Sequence, residues 1–232
     1  MLLFGLFLSL TVPSRSDDFL AKGQKAFRSK DYAKAFESYK LAAQKGDPNA
    51  MADLGLLYEK GLGTKQDYAE AFKWFTRGAR KGDAEAQNNL GYLYLNGLGV
   101  PKDASLALQW FQRSAGQGLA SAEGNLGLMY GKGLGIPKDY KLSFQWFLKA
   151  AEQDDTDSQI NLGMMTSVGE GTSKDLVESY KWFTLALTRG DLEDAQEKEL
   201  RDDVEWLEKK MTDQQIDEAK KRALQWKPSG AP

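Results

Sequence analysis

The chain of 232 residues contains no cysteine and no histidine. Those absences exclude a disulfide framework, a thiol nucleophile, a Ser-His triad and a Cys/His zinc site, and with them a thiol redox role. They do not fix a compartment, because a protein without disulfides can reside anywhere. An excess of one charge is missing as well. Lys and Arg number 31 against 33 Asp and Glu, for a net charge of −2, so there is no electrostatic footprint for nucleic acid. A hydrophobic share of 41% with 28% charged residues is that of a folded chain, not a disordered one.

Long apolar runs are also scarce, and the exception stands at the start. In MLLFGLFLSLTVPSRS the stretch Leu2–Val12 has the length of a signal-peptide core and is short for a bilayer span. Ser14 and Ser16 supply small residues for cleavage before Asp17, while the only positive charge ahead of the run is the terminal amine. Residues 1–16 are therefore expected to be a signal peptide. Export to the periplasm or beyond follows, with no membrane span once the segment is removed.

What is present is repetition. GYLYLNGLGVPKD at 91–103 returns as GLMYGKGLGIPKD at 127–139, a step of 36 residues. Gly55, Gly91, Gly127 and Gly163 keep that step, as do Trp74, Trp110, Trp146 and Trp182, the Phe after each Trp, and Asp67, Asp103, Asp139 and Asp175. A fixed period of this length marks an array in which each unit is one supersecondary element leaning on its neighbours.

Within a unit the pattern predicts two helices and two stops. In residues 83–118, Asp83 caps a helix A carrying Ala86, Leu90, Leu93 and Tyr94, which Asn96-Gly97 terminates. After the loop, Asp103 caps a helix B carrying Leu106, Ala107, Trp110, Phe111 and Ala115, ended by Gly118. The mid-helix glycines cost about 1 kcal/mol each relative to Ala, which implies close helix approach there against the Trp-Phe pair. The Trp residues are expected to be core, not a sugar-stacking platform. The organisation expected is repeats at 47–82, 83–118, 119–154 and 155–190, the last having drifted to a GEGTSKD loop.

The ends differ. Residues 17–46 keep Ala35, Tyr39 and Ala43 in register but shorten the loop to Ser29-Lys30-Asp31-Tyr32, which is similar to a tetratricopeptide helical pair. In residues 191–232, Leu200, Val204, Leu207 and Met211 form a stripe on a charged helix. Thr212 to Gln215 then fits a capping box before a last helix with Ile216, Ala219, Ala223 and Trp226 on one face. These helices are expected to cap the array, with Glu197 to Lys210 a solvated face.

The consensus A-x3-LG-x2-Y-x2-GLG-x3-D-x3-A-x2-WF-x3-A-x2-G resembles the Sel1-like repeat, a relative of the tetratricopeptide repeat. The resemblance covers 47–190, and the segment MTDQQIDEAKKRALQW is similar to the tails of bacterial members. It implies an all-α fold, a right-handed α-α superhelix of helical hairpins with helical caps, that binds other proteins without cofactor, metal or catalysis. Family roles include envelope adaptors, signalling regulators, host-interaction factors and immunity proteins against phospholipase effectors delivered by type VI secretion. The cysteines of the disulfide-stapled branch are all missing here.

Register also nominates a binding surface. Counting from the helix-A leucines at about 100° per residue, the position two residues on points away from the core yet holds Leu56, Tyr92, Leu128 and Met164. Such a row could dock a partner peptide or helix, or pack against adjacent A helices. The position one residue before holds Asp53, Asn89, Asn125 and Asn161. Amides there could hold a ligand's backbone, or serve as a ladder satisfying neighbouring repeats. The candidate partner-binding residues are thus Leu56, Asn89, Tyr92, Asn125, Leu128, Asn161 and Met164.

The expected function is an exported scaffold gripping another protein, either an effector toxin or an envelope component. Immunity to a type VI-secreted phospholipase is its sharpest form, and an adaptor or signalling regulator the alternative. A carboxylate-based glycan-acting enzyme is the competing class. Against it, Asp67, Asp103, Asp139 and Asp175 all read as helix caps.

Overall fold

Local capping starts most of the helices. Asp31, Asp47, Asp67, Asp83, Asp103, Asp139, Asp155 and Asp175 each accept a hydrogen bond from a backbone N–H two or three residues on. Each such cap contributes about 1 kcal/mol by satisfying an otherwise orphan donor. The computed structural model describes residues 15–189 and 192–229. The expected signal segment, apart from Arg15 and Ser16, lies outside the described residues, and so does the expected repeat end at Gly190.

Among the described residues the regular elements are α-helices. In chain order they are α1 (Arg15–Arg28), α2 (Tyr32–Gln44), α3 (Pro48–Lys60), α4 (Tyr68–Arg80), α5 (Ala84–Asn96) and α6 (Ala104–Ala115). Then follow α7 (Ala120–Lys132), α8 (Tyr140–Glu152), α9 (Thr156–Val168), α10 (Leu176–Arg189), α11 (Asp194–Glu208) and α12 (Asp213–Gln225). Helix α7 departs from the capping rule, since Leu119 precedes it and offers no side-chain cap.

The repeated glycines act through space. A methyl group on Gly55, Gly127 or Gly163 would stand 2.6, 2.7 or 2.3 Å from the ring of Phe75, Phe147 or Phe183. Gly23 has the same relation to Tyr39, at 2.5 Å, so the first hairpin uses the same lock despite its shortened loop. The second glycine of each loop serves a different contact. Gly63, Gly99 and Gly171, all at positive φ, would place a methyl 2.1, 2.4 and 2.1 Å from the carbonyl oxygens of Tyr32, Tyr68 and Tyr140. Each of those tyrosines opens the helix B of the preceding hairpin, so the loop docks on its neighbour's helix start.

The aromatic pair divides its labour: Trp74 and Trp146 pack against core clusters and Trp182 lies within one, as expected, but the phenylalanines are the more deeply buried. Phe75, Phe111, Phe147 and Phe183 are 0–3% exposed, and each contributes about 1.5–3 kcal/mol by burial. Trp74, Trp110 and Trp146 are only half-buried. The cation one turn on covers part of the ring, with Arg77, Arg113 and Lys149 at 4.7, 4.5 and 4.3 Å from the ring centroids. Trp182 alone of the four is buried, and Trp226 meets it edge-on at 6.2 Å.

Contacts divide the described chain into two compact units, one running to Leu93 with Leu98–Pro101, the other Tyr94–Gly97 with Lys102 onward. The first has a core of Phe36, Tyr39, Met51, Leu54 and Leu57. In the second, Phe111, Leu126 and Met129 form one cluster, and Phe147, Leu162 and Trp182 another. Tyr180, Phe183, Leu200, Leu207, Met211 and Ala219 form a third, through which α11 and α12 cover the apolar side of α10. The Thr212–Gln215 capping box opens α12 as the sequence predicts.

Candidate partner-binding groove

Helix α9 has two faces of different character. Leu162, Gly163, Met165 and Thr166 are buried, while Asn161, Met164, Ser167 and Val168 recur at three- to four-residue steps on the other side. That second face borders three connected hollows in the second unit. A groove of about 490 Å³ runs between α7 and α9, lined by Leu128, Lys132, Met164 and Val168 with Phe147 among its walls. A recess of about 400 Å³ lies between α9 and α11, shared by Met164, Ser167, Asp203 and Trp206. A smaller one, about 220 Å³, is lined by Asn125, Leu128, Ser158 and Asn161. Leu128 and Asn161 line both the first and the third, and Met164, Ser167 and Asp203 line both the first and the second, so the face is continuous.

Polar groups here are mostly committed to the scaffold. Ser143 and Ser179 each donate a 2.8 Å hydrogen bond, to the carbonyls of Gly127 and Gly163 respectively. The Asn161 amide donates to the Asp157 carbonyl of its own helix at 2.7 Å. The Ser158 hydroxyl is buried in the smallest hollow without a protein partner, an uncompensated cost unless a ligand or solvent group reaches it.

Of the residues nominated by register, the structure brings Asn125, Leu128, Asn161 and Met164 together along this face. Leu56, Asn89 and Tyr92 belong to the first unit, where Leu56 and Asn89 are half-buried and Tyr92 is exposed. One repeat earlier in that unit, Asp53 stands at the register position of Asn89. Burial pushes its carboxyl up to about 6, tempered by a hydrogen bond from Tyr39 and reinforced by the charges of Asp83, Asp47 and Glu85. Tyr39 itself is raised, by burial first and then by Asp53.

Residues that the period does not nominate also form the groove. Trp206, Asp202 and Asp203 come from α11, in the stretch read above as a solvated face, and Val168 closes α9. Trp206 falls off the Leu200–Leu207 stripe, and that mismatch is the one sequence signal that it faces elsewhere. Asp203 is raised by burial and then by its neighbours Glu199 and Asp202.

The Sel1 repeat family model matches residues 18–47, 48–83, 84–119, 120–155 and 156–191. The chain belongs to the Sel1 repeat family. Its fold class is accordingly the all-α repeat solenoid, a scaffold that generally mediates protein–protein interaction and typically lacks catalysis. A Sel1 repeat protein from Oxalobacter formigenes is 31% identical over 75% of this chain and 69% of its own, with a TM-score of 0.66. A protective antigen of uropathogenic Escherichia coli displaying an SLR fold is 29% identical with a TM-score of 0.71. This Sel1 chain covers 44% of that protein, and 88% of this chain is matched. A sel1 repeat protein from Klebsiella pneumoniae, 20% identical with a TM-score of 0.58 over 83% and 93% of the two chains, shares the fold. No curated protein matches the chain.

Proposed function

We propose that this chain is a non-enzymatic scaffold that holds a partner protein against the face formed by α7, α9 and α11. The observation that carries this reading is a clustering. Met164 is 47% exposed, Val168 63% and Trp206 47%, and these three of the six well-exposed large apolar side chains among the described residues lie on this one face, in two adjoining hollows that share Met164. Apolar side chains scattered singly over a surface need no explanation, whereas a contiguous apolar patch with a polar rim marks a binding site. Trp and Met are also the residue types that anchor such interfaces.

The signal-like residues 1–16 direct the same reading to the bacterial envelope. There the scaffold acts as an immunity protein, occupying the working surface of a type VI-secreted phospholipase. The protein purified from envelope extracts should carry a partner that is lost from a Met164→Asp, Trp206→Ala double variant of unchanged helicity. Cells expressing the wild type should survive a phospholipase directed to their periplasm, and cells expressing the double variant should not. Retention of the same partner by the variant would remove this face from the interaction. Survival that does not depend on the protein would remove the immunity role.

A further inference from the structure

Charge around the groove is mostly negative although the chain as a whole is nearly neutral. Asp202 and Asp203 edge the recess beside Trp206, and Glu170 stands beyond Val168 at the end of the main groove. Among the described residues lining these hollows, Lys132 is the only cation. The carboxylates are weakly compensated. Asp202 meets Lys198 at 3.7 Å with both side chains largely exposed, an arrangement worth little in water. Asp203 has two further acids, Glu199 and Asp202, as its charged neighbours. A second cation, Lys210, stands beside the recess, over the Trp206 ring at 5.0 Å from its centroid.

We propose that the partner segment received here is a cationic amphipathic one, with an apolar side chain seated among Leu128, Met164, Val168 and Trp206 and a Lys or Arg reaching Asp203 and Glu170. The inference rests on the scaffold reading above and adds the chemistry of the occupant. Burial of the apolar anchor supplies affinity, while the acidic rim orients the segment and speeds its arrival. Arg suits the rim because its planar fork matches a carboxylate. An acidic segment would set like charges against Asp202, Asp203 and Glu170, a repulsion that excludes it.

Three labelled fourteen-residue peptides test this by fluorescence anisotropy against the full chain: an amphipathic Leu/Lys helix former, its Leu/Glu counterpart, and a Lys/Ser peptide of equal positive charge. The Leu/Lys peptide should bind, and the other two should bind at least about tenfold more weakly. Asp203→Asn, which keeps the side-chain shape, should weaken the Leu/Lys peptide by about threefold, and Asp203→Lys by about tenfold or more. Trp206→Ala should weaken it comparably, with helicity and unfolding midpoint checked for each variant. Equal binding of the Leu/Glu or Lys/Ser peptide, or indifference to Asp203→Lys and Trp206→Ala, would overturn the proposal. If the partner from envelope extracts is lost on Met164→Asp, Trp206→Ala but inserts an acidic segment, the groove reading stands and the cationic occupant is wrong.

Discussion

In the first unit the register position before the helix-A leucine holds Asn89 in one repeat and, in the repeat before it, Asp53, bound by the Tyr39 hydroxyl and crowded by acids. In the second unit the same position holds Asn161, whose amide is tied to the Asp157 carbonyl. Two residues beyond the leucine, Leu56 is half-buried while Met164 is 47% exposed. One 36-residue template thus yields two different surfaces. Positions that meet the partner helix of the hairpin are held by a fit so close that an added methyl would stand 2.3–2.7 Å from an aromatic ring. Positions that look outward are free to become a half-buried acid in one place and an apolar groove in another.

The largest effect should come from breaking what the units share. Gly63→Val and Gly171→Val each force a branched residue to positive φ and into a backbone carbonyl 2.1 Å away, and each should cost roughly 4 kcal/mol by urea unfolding. If one were tolerated, loop docking would not be common to both units. Next come the tryptophans of the second unit. Trp182→Ala, at a buried site, should cost about 3–5 kcal/mol, and Trp146→Ala, at a half-buried one, about 1–2. Equal losses would show that exposure in the native fold does not separate them.

A smaller effect, of opposite sign, belongs to Asp53. Its folded value of about 6 lies above the ordinary 3.8, so the native state binds the proton more tightly than the unfolded chain. The contribution to stability is present below about pH 4 and is lost as pH rises towards about 6. Asp53→Asn keeps a partner for Tyr39, matches the other repeats, and should raise stability at pH 7 by on the order of 1–2 kcal/mol. It should also flatten the unfolding midpoint between pH 4 and 6, and a destabilised variant would contradict the burial argument. Least of all, Val168→Ser should change stability by less than about 0.5 kcal/mol while weakening any ligand of the groove.

The comparison also shows what a sequence of this kind makes legible. The helix starts, the positive-φ stops and the hairpin lock are set by residues close in the chain or fixed by the period, so Asp103, Gly97 and Gly55 could be read directly. Register arithmetic likewise reached Asn125, Leu128, Asn161 and Met164. It could not reach Trp206 or Asp203, because α11 lies outside the period and its placement depends on how Leu200 and Leu207 dock against Tyr180 and Phe183. Burial of the tryptophans was hidden for a related reason. Identical residues at identical spacing differ in exposure when α12 covers one of them, and coverage is a property of the neighbour.

The central claim is that the face of α7, α9 and α11 is where this protein meets another. Photo-crosslinking in cells that express the protein, with benzoylphenylalanine replacing Met164 in one variant and the 88% exposed Leu224 of α12 in another, tests it most directly. A discrete protein adduct at 164, with none at 224, is the predicted result. Adducts at 224 and none at 164 would place the interaction elsewhere and contradict it.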